Sequence, residues 1–320
     1  MATVSIYGAG QLGLAVGKAL NEQGKHRVSG PYQRNQEKPA LTSGADVVVI
    51  ATTTLFKDVA TYVREAVISG SNVLVSSEEC AYPWAVDADL AKELDDLAKK
   101  HKVSIAGCGV NPGLIFDALV LTLLGATPRG AKITVRRTVD ISKFSATVLR
   151  RIGVGWSEEE FRKKVSAGEI LGHAGFPQSM KVVADALGLQ IDSIKKELLP
   201  VLATETISIE NRFNVEPGYS AGVNQTYTSI VDGEIWFTSH FFGHVDLQSI
   251  SQLAKDEIEF SINGKIHQTI NLSPGIGAQA GSQNMVVNSV ERIISATPGW
   301  ITLAQLPPAF PTYGESFMHR

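Results

Sequence analysis

Through the first third of the chain, short apolar runs alternate with longer stretches of helical spacing. Val4 to Tyr7, Arg27 to Tyr32, Asp46 to Ala51, Val73 to Ser77 and Val103 to Gly107 read as strands. Val47 to Ala51 is apolar without a break, as a strand covered on both faces should be. Between the strands, Leu14, Val16, Ala19 and Leu20 recur at helical spacing, and Phe56 to Ser69 and Asp87 to His101 read as further helices. This alternation predicts a parallel sheet with helices on both sides. About a dozen residues separate the second strand from the third, so the crossover helix there is expected to be very short or missing.

The pattern changes after Leu124. Strand-like runs follow at Lys132 to Asp140, Ala203 to Glu210, Val223 to Val231, Ile235 to His244, Ile258 to Asn263 and Lys265 to Ile270, with helices at Ser157 to Ser166 and Gln178 to Leu187. Runs of strands with few helices between them predict an α+β domain on a largely antiparallel sheet. Gly264 and Lys265 have the character of a hairpin turn. Gln283 to Ala296 returns to helical spacing and stops at Thr297-Pro298-Gly299-Trp300. The expected architecture is α/β: a Rossmann-type parallel-sheet domain over residues 1–117, a second α+β domain over 118–282, and a C-terminal helix and tail over 283–320 that rejoin the first domain.

Composition narrows the class of protein. A chain of 320 residues suits two domains. With 44% hydrophobic residues, 19% charged residues and a net charge of -3, it lacks the basic excess that nucleic-acid binding requires. Cys80 and Cys108 lie in apolar runs, which fits a reduced cytoplasmic setting better than a disulfide framework or a metal site. Met1 to Ile6 enters a strand pattern directly, without the order of a signal peptide. The longest apolar run, near Leu114 to Ala126, contains Asp117 and is too short to span a bilayer. A cytoplasmic protein, away from membranes, is expected.

Chemistry enters first at Gly8-Ala9-Gly10-Gln11-Leu12-Gly13, between a strand and a helix. Gly8 permits the tight turn, Gly10 lets the backbone approach a pyrophosphate, and Gly13 lets helix and strand pack closely. The helix start, with Gln11 and Leu12, offers N–H groups to the phosphates. After the second strand, Gly30 to Asn35 holds no acid to meet a ribose 2′-hydroxyl, whereas Arg34, beside Asn35, suits a 2′-phosphate. NADP is therefore the expected cofactor, with NAD as the alternative. Thr52 and Thr53 end the third strand and Ser77 the fourth, where their hydroxyls can meet the same ligand.

The fourth strand runs into Glu78-Glu79, and ligands collect outside the carboxyl ends of strands in an open α/β sheet. A carboxylate there can hold a cation, and can pass protons where burial raises its pKa. A helix cap or a salt bridge is the plainer use of the same acid. Adjacent side chains on an extended strand point opposite ways, so one of the pair is expected to face the cleft and the other a structural partner. The fifth strand enters Gly107-Cys108-Gly109-Val110-Asn111-Pro112-Gly113, where Asn111 and Pro112 either meet a nicotinamide or form a domain connection. Tyr82, Leu114, His173 and His240 are the candidates for a substrate pocket. His240 and His244 share one face of a strand, but no third ligand has recognisable spacing, so no metal site is expected.

Glu78 to Trp84, Gly107 to Gly113, Arg137-Thr138-Val139-Asp140, Gly172 to Ser179 and Val287 to Val290 together resemble the 2,4-diaminopentanoate dehydrogenases and the native amine dehydrogenases related to them, in the dihydrodipicolinate reductase-like group. The likeness runs along nearly the whole chain. It implies a Rossmann domain, a substrate and dimer domain in a homodimer, and NAD(P)H-dependent reductive amination of a small carbonyl compound with ammonia, or the reverse deamination. It also places the catalytic glutamate in the Glu78-Glu79 motif, with Glu78 preferred. Reduction of a preformed or cyclic imine, and a binding protein that senses NADP without chemistry, are the alternatives. The missing acid and the short loop after the second strand depart from the family pattern and bear on cofactor choice.

Overall fold

A computed structural model describes residues 1–209 and 213–312. The last residue of the strand expected to end at Glu210, and the tail beyond Thr312, lie outside the described residues. The chain forms two compact units, Met1–Leu119 together with the segment from Ala278 onward, and Val120–Gly277.

The first unit alternates strand and helix: β1 (Thr3–Tyr7), α1 (Gln11–Gln23), β2 (Arg27–Tyr32), α2 (Glu37–Leu41), β3 (Val47–Ile50), α3 (Phe56–Ile68), β4 (Asn72–Val75), α4 (Ala88–His101) and β5 (Ser104–Gly107). Helix boundaries follow from local chemistry. Gly24, at φ 64°, ends α1 in a left-handed turn that an L side chain resists, and Asp87 starts α4 by accepting the Leu90 N–H. The crossover between β2 and β3 is the five-residue α2. Alternation along β3 sends Val47 and Val49 to one apolar layer and Val48 and Ile50 to the other, so both faces of the sheet are covered.

A π-helical turn (Leu114–Ala118) and α5 (Leu119–Leu124) lead into the second unit. That unit comprises β6 (Lys132–Asp140), α6 (Ala146–Ile152), α7 (Glu158–Ser166), α8 (Phe176–Leu187), β7 (Ser193–Leu202), β8 (Ile207–Ile209), β9 (Phe213–Val215), β10 (Ser220–Val231), β11 (Glu234–His244), β12 (Lys255–Ile262) and β13 (Lys265–Leu272). Its six-stranded sheet has the order β13-β12-β6-β11-β10-β7, and only the β6–β11 pairing is parallel. β7 pairs along most of its length with β10 but is absent from the sequence pattern, because its Lys and Glu residues belong to an exposed edge strand. One face of the sheet buries Val135, Arg137, Ser239 and Phe241, and Phe176 at the start of α8 packs there.

The chain returns to the first unit with α9 (Ala278–Ile294) and β14 (Gly299–Ile301). The helix ends before Thr297, and what the sequence reading lacks is the strand that follows: Gly299 and Trp300 begin a parallel strand beside β5, completing the order β14-β5-β4-β3-β1-β2. The Ser104 hydroxyl ties the two ends together by donating to the Ala296 and Thr297 carbonyls.

Candidate active site

The three glycines of the β1–α1 turn divide the work. A Cβ on Gly8 would strike the Ala51 carbonyl, and one on Gly13 would strike the Gly8 carbonyl, so both hold close backbone approaches. Gly10 faces open space, with nothing within 4 Å of where its Cβ would be. Helix α1 starts there without a side-chain cap and without an acid in its first turn, which leaves N–H groups and the positive end of the helix for an anion. Gln11 is exposed and hydrogen-bonds Gln279 at 3.0 Å. The Leu12 side chain packs into the core, so only its backbone is available.

Beyond β2 the sequence reading needs a correction. An acid does follow the strand: Glu37 opens α2, and its Oε1 accepts from the Tyr7 hydroxyl at 2.9 Å and the Asn35 N–H at 3.1 Å. Its own backbone N–H, then Tyr7, then Asn35, hold this carboxyl below the usual range, while burial pushes the Tyr7 phenol up. Asn35 is left-handed at φ 71°, and Arg34 beside it is exposed.

At the end of β4 the two glutamates are not on an extended strand. Glu78–Ala81 is a 3-10 turn, and both acids are half-buried. Strand alternation therefore does not divide them. The Glu79 Oε2 accepts the N–H of Phe56, the first residue of α3, at 2.7 Å, so Glu79 caps that helix through space. The Ser77 hydroxyl donates to the Thr52 carbonyl at 3.0 Å. Thr53 is exposed and left-handed at φ 53°. Cys80 and Cys108 are free and buried; burial raises both thiols, that of Cys108 to about 12. Tyr82 packs against Trp84, ring centroids 5.2 Å apart.

The turn after β5 carries the unit's other polar feature. Asn111 precedes Pro112, and the amide Nδ2 and Oδ1 of Asn111 are both buried without a hydrogen-bond partner among the described residues. The turn is held by Asp117, 4% exposed, which accepts the Gly113 N–H at 2.8 Å and the Ala118 N–H at 2.7 Å. Leu114, half-buried, begins the π-helical turn. A donor and an acceptor left open together match a carboxamide, so these residues fit a nicotinamide dinucleotide: Gly10 and the start of α1 at its phosphates, Asn111 at its carboxamide.

In the second unit His173 lies against Phe241, centroids 4.8 Å apart, and its backbone is fixed by the Gln225 amide. Burial, opposed by the Ala174 carbonyl and helped by Arg137 and Arg151, pushes its pKa down to about 4. The ring is neutral near pH 7, with Nδ1 donating to the Ala174 carbonyl at 2.7 Å. Arg137 is buried against Asp256 at 3.2 Å, and its Nη1 has no hydrogen-bond partner among the described residues. His240 does not join this group. It neighbours Phe241 in β11 and so points to the opposite face, where it meets Thr226 at 3.0 Å; one pocket in this unit does not take both histidines. The Arg150 guanidinium lies over Trp156 and Phe213 and donates to the Gly155 carbonyl, a packing role. No group of three or more potential metal ligands occurs among the described residues.

Comparison with known proteins now adds a family. A family model, the 2,4-diaminopentanoate dehydrogenase C-terminal domain, matches residues 114–317. Over 263 residues the chain is 32% identical to the 2,4-diaminopentanoate dehydrogenase of Acetoanaerobium sticklandii, across 82% of this chain and 74% of that protein. The chain belongs to the 2,4-diaminopentanoate dehydrogenase family. Among solved structures, the amine dehydrogenase from Mycobacterium smegmatis superposes with a TM-score of 0.81 at 19% identity, covering 97% of each chain. An engineered D-amino acid dehydrogenase bound to NADP+ gives 0.50 at 12% identity, covering 100% of this chain and 99% of that one. At such identities these two establish the shared fold. For this 2,4-diaminopentanoate dehydrogenase family member, Glu37, Arg137 and Asp256 are the residues whose partners sequence reasoning misses, since each is defined by a distant contact; for Arg137 the motif Arg137 to Asp140 was the available signal.

Proposed function

We propose that the protein is an NAD(P)H-dependent amine dehydrogenase that aminates a small carbonyl compound with ammonia and runs the reverse oxidative deamination. The observation that carries this reading is the turn at the end of β4, which places two half-buried acids, Glu78 and Glu79, at the carboxyl edge of the sheet. The relative from Acetoanaerobium sticklandii, named for 2,4-diaminopentanoate, favours an amino or diamino acid within the substrate class.

Bound nicotinamide supplies the hydride. Glu78 does the rest of the proton work: as an anion it holds ammonium near the carbonyl and takes one of its protons, freeing ammonia to attack, and as the acid so formed it protonates the hydroxyl of the carbinolamine so that water leaves. The carboxylate formed in that step then stabilises the iminium cation by charge. Asn111 would orient the carboxamide. NADP is the preferred cofactor in this proposal, because Glu37 is engaged by Tyr7 and Asn35 and leaves Arg34 to meet a 2′-phosphate. A cytoplasmic homodimer, with the second unit carrying the substrate and dimer surfaces, completes the reading. No helix among the described residues is long and apolar enough to cross a membrane.

The test is NADPH oxidation with a panel of small ketones, aldehydes and oxo acids, with and without ammonium. Ammonium-dependent turnover is expected. Turnover that ignores ammonium would point instead to a reductase of preformed imines, and tight NADPH binding without turnover to a sensing protein.

A further inference from the structure

The turn Glu78–Ala81 is held from two sides by groups far away in the chain. On one side, the Glu79 carboxylate is bonded to the Phe56 N–H at the start of α3. On the other, the indole Nε1–H of Trp300 donates to the Cys80 carbonyl at 3.2 Å, across 220 positions of sequence. Trp300 is 4% exposed. It is fixed in turn by β14 pairing with β5, by its backbone N–H donating to Asp95 at 2.8 Å, and by edge contacts with Phe56 at 5.4 Å and Trp84 at 6.4 Å. The turn also lies directly on β5, where a Cβ on Gly107 would strike the Cys80 carbonyl.

We propose that Glu79 and Trp300 are positioning residues that together aim the Glu78 carboxylate at the reacting carbon, an inference that rests on Glu78 being the proton-handling group. The residue directly after Glu78 and the one beyond it are each anchored, the first by side chain and the second by backbone. Any shift of either anchor turns the Glu78 side chain with it. The two anchors come from different elements, α3 and β14, so a strand some 220 positions further along helps to set the geometry of Glu78. A short 3-10 turn does not hold a fixed aim through its own hydrogen bonds, and proton transfer and charge stabilisation fall steeply with misplacement.

The experiment is a double-mutant cycle in the full-length protein. Trp300→Phe removes the N–H and keeps most of the ring; it is expected to lower kcat about ten- to a hundredfold, to shift the acid limb of the kcat–pH profile, and to leave the NADPH Kd unchanged. Glu79→Ala should act in the same direction, and Glu79→Gln, which keeps an acceptor for the Phe56 N–H, should restore most of the rate. In a Glu78→Gln background, with the residual hydride transfer followed in a single turnover, Trp300→Phe should change the rate less than about twofold, because its effect passes through Glu78. An equal loss in both backgrounds, or no loss in either, overturns the positioning role. Glu78→Gln with full activity would instead remove the reading of Glu78 on which the inference rests, a result read from that variant alone. Should Trp300→Phe fold poorly, the Glu79→Ala and Glu79→Gln pair in the same two backgrounds decides the question.

Discussion

Glu79, next to Glu78 in sequence, meets the first residue of α3. Because Glu79 caps α3, Glu79→Ala should cost about 0.5–2 kcal/mol of stability, read as a lower urea midpoint, and Glu79→Gln much less. Arg34 and Glu37 divide differently: Arg34→Ala should weaken NADPH binding about tenfold and leave NADH binding nearly unchanged, as fluorescence titration with both cofactors would show. His173 gives a pH prediction. Its folded pKa lies near 4 against an ordinary 6.5, so in that window the unfolded chain carries a proton that the folded chain does not. Stability therefore falls as pH drops from 6.5 toward 4, and His173→Gln should flatten part of that slope in urea melts. His26, His240 and His244, whose values burial also lowers, add to the slope with the same sign. At this scale the residue types near a strand end were legible, because acids, glycines and an asparagine at such positions have few uses. Their partners were not, since Glu79 finds Phe56 and Arg137 finds Asp256 only in the folded chain.

The β1–α1 turn lets two glycines be told apart by experiment. Gly10→Ala fits the fold, as nothing lies within 4 Å of the new carbon, and should keep the melting temperature while weakening cofactor binding. Gly13→Ala drives a carbon into the Gly8 carbonyl and should lose about 1–3 kcal/mol or more of stability, seen by thermal melting without any ligand. Most strands were legible because burial on both faces writes an unbroken apolar run, as in Val47 to Ile50, and burial on one face writes alternation, as in Lys132 to Asp140. β7 is an edge strand with a run of charged residues, and β14 begins with Gly299 directly after Pro298, a pair that locally spells a stop. Only pairing with β10 and β5 makes them strands. The same holds for the 3-10 turn at Glu78, whose shape is imposed by α3, β5 and β14.

Across the whole molecule, the alternation of strands and helices followed by strand-rich sequence sufficed for the fold class, because each pattern admits few layered solutions. The energetics of the second unit were not legible. Arg137 and Asp256 are each 2% exposed, and burial pushes both toward their neutral forms despite the pairing. Removing the acid alone, as in Asp256→Ala, should cost about 3–5 kcal/mol by leaving a buried guanidinium uncompensated, whereas an apolar pair at both positions should recover most of the loss; equilibrium unfolding of the two variants checks this. The route of the chain has a consequence for biosynthesis. The second unit is contiguous in sequence and has all its described strands as soon as Leu272 has left the ribosome. The first, although its strands start at Thr3, waits for β14, because the strand that flanks β5 and carries the indole over Cys80 is translated only after the whole second unit. A nascent chain arrested before Gly299 would therefore carry the glutamates and glycines of the site and still hold the parallel sheet open at one edge, exposed to chaperones and proteases until β14 is made.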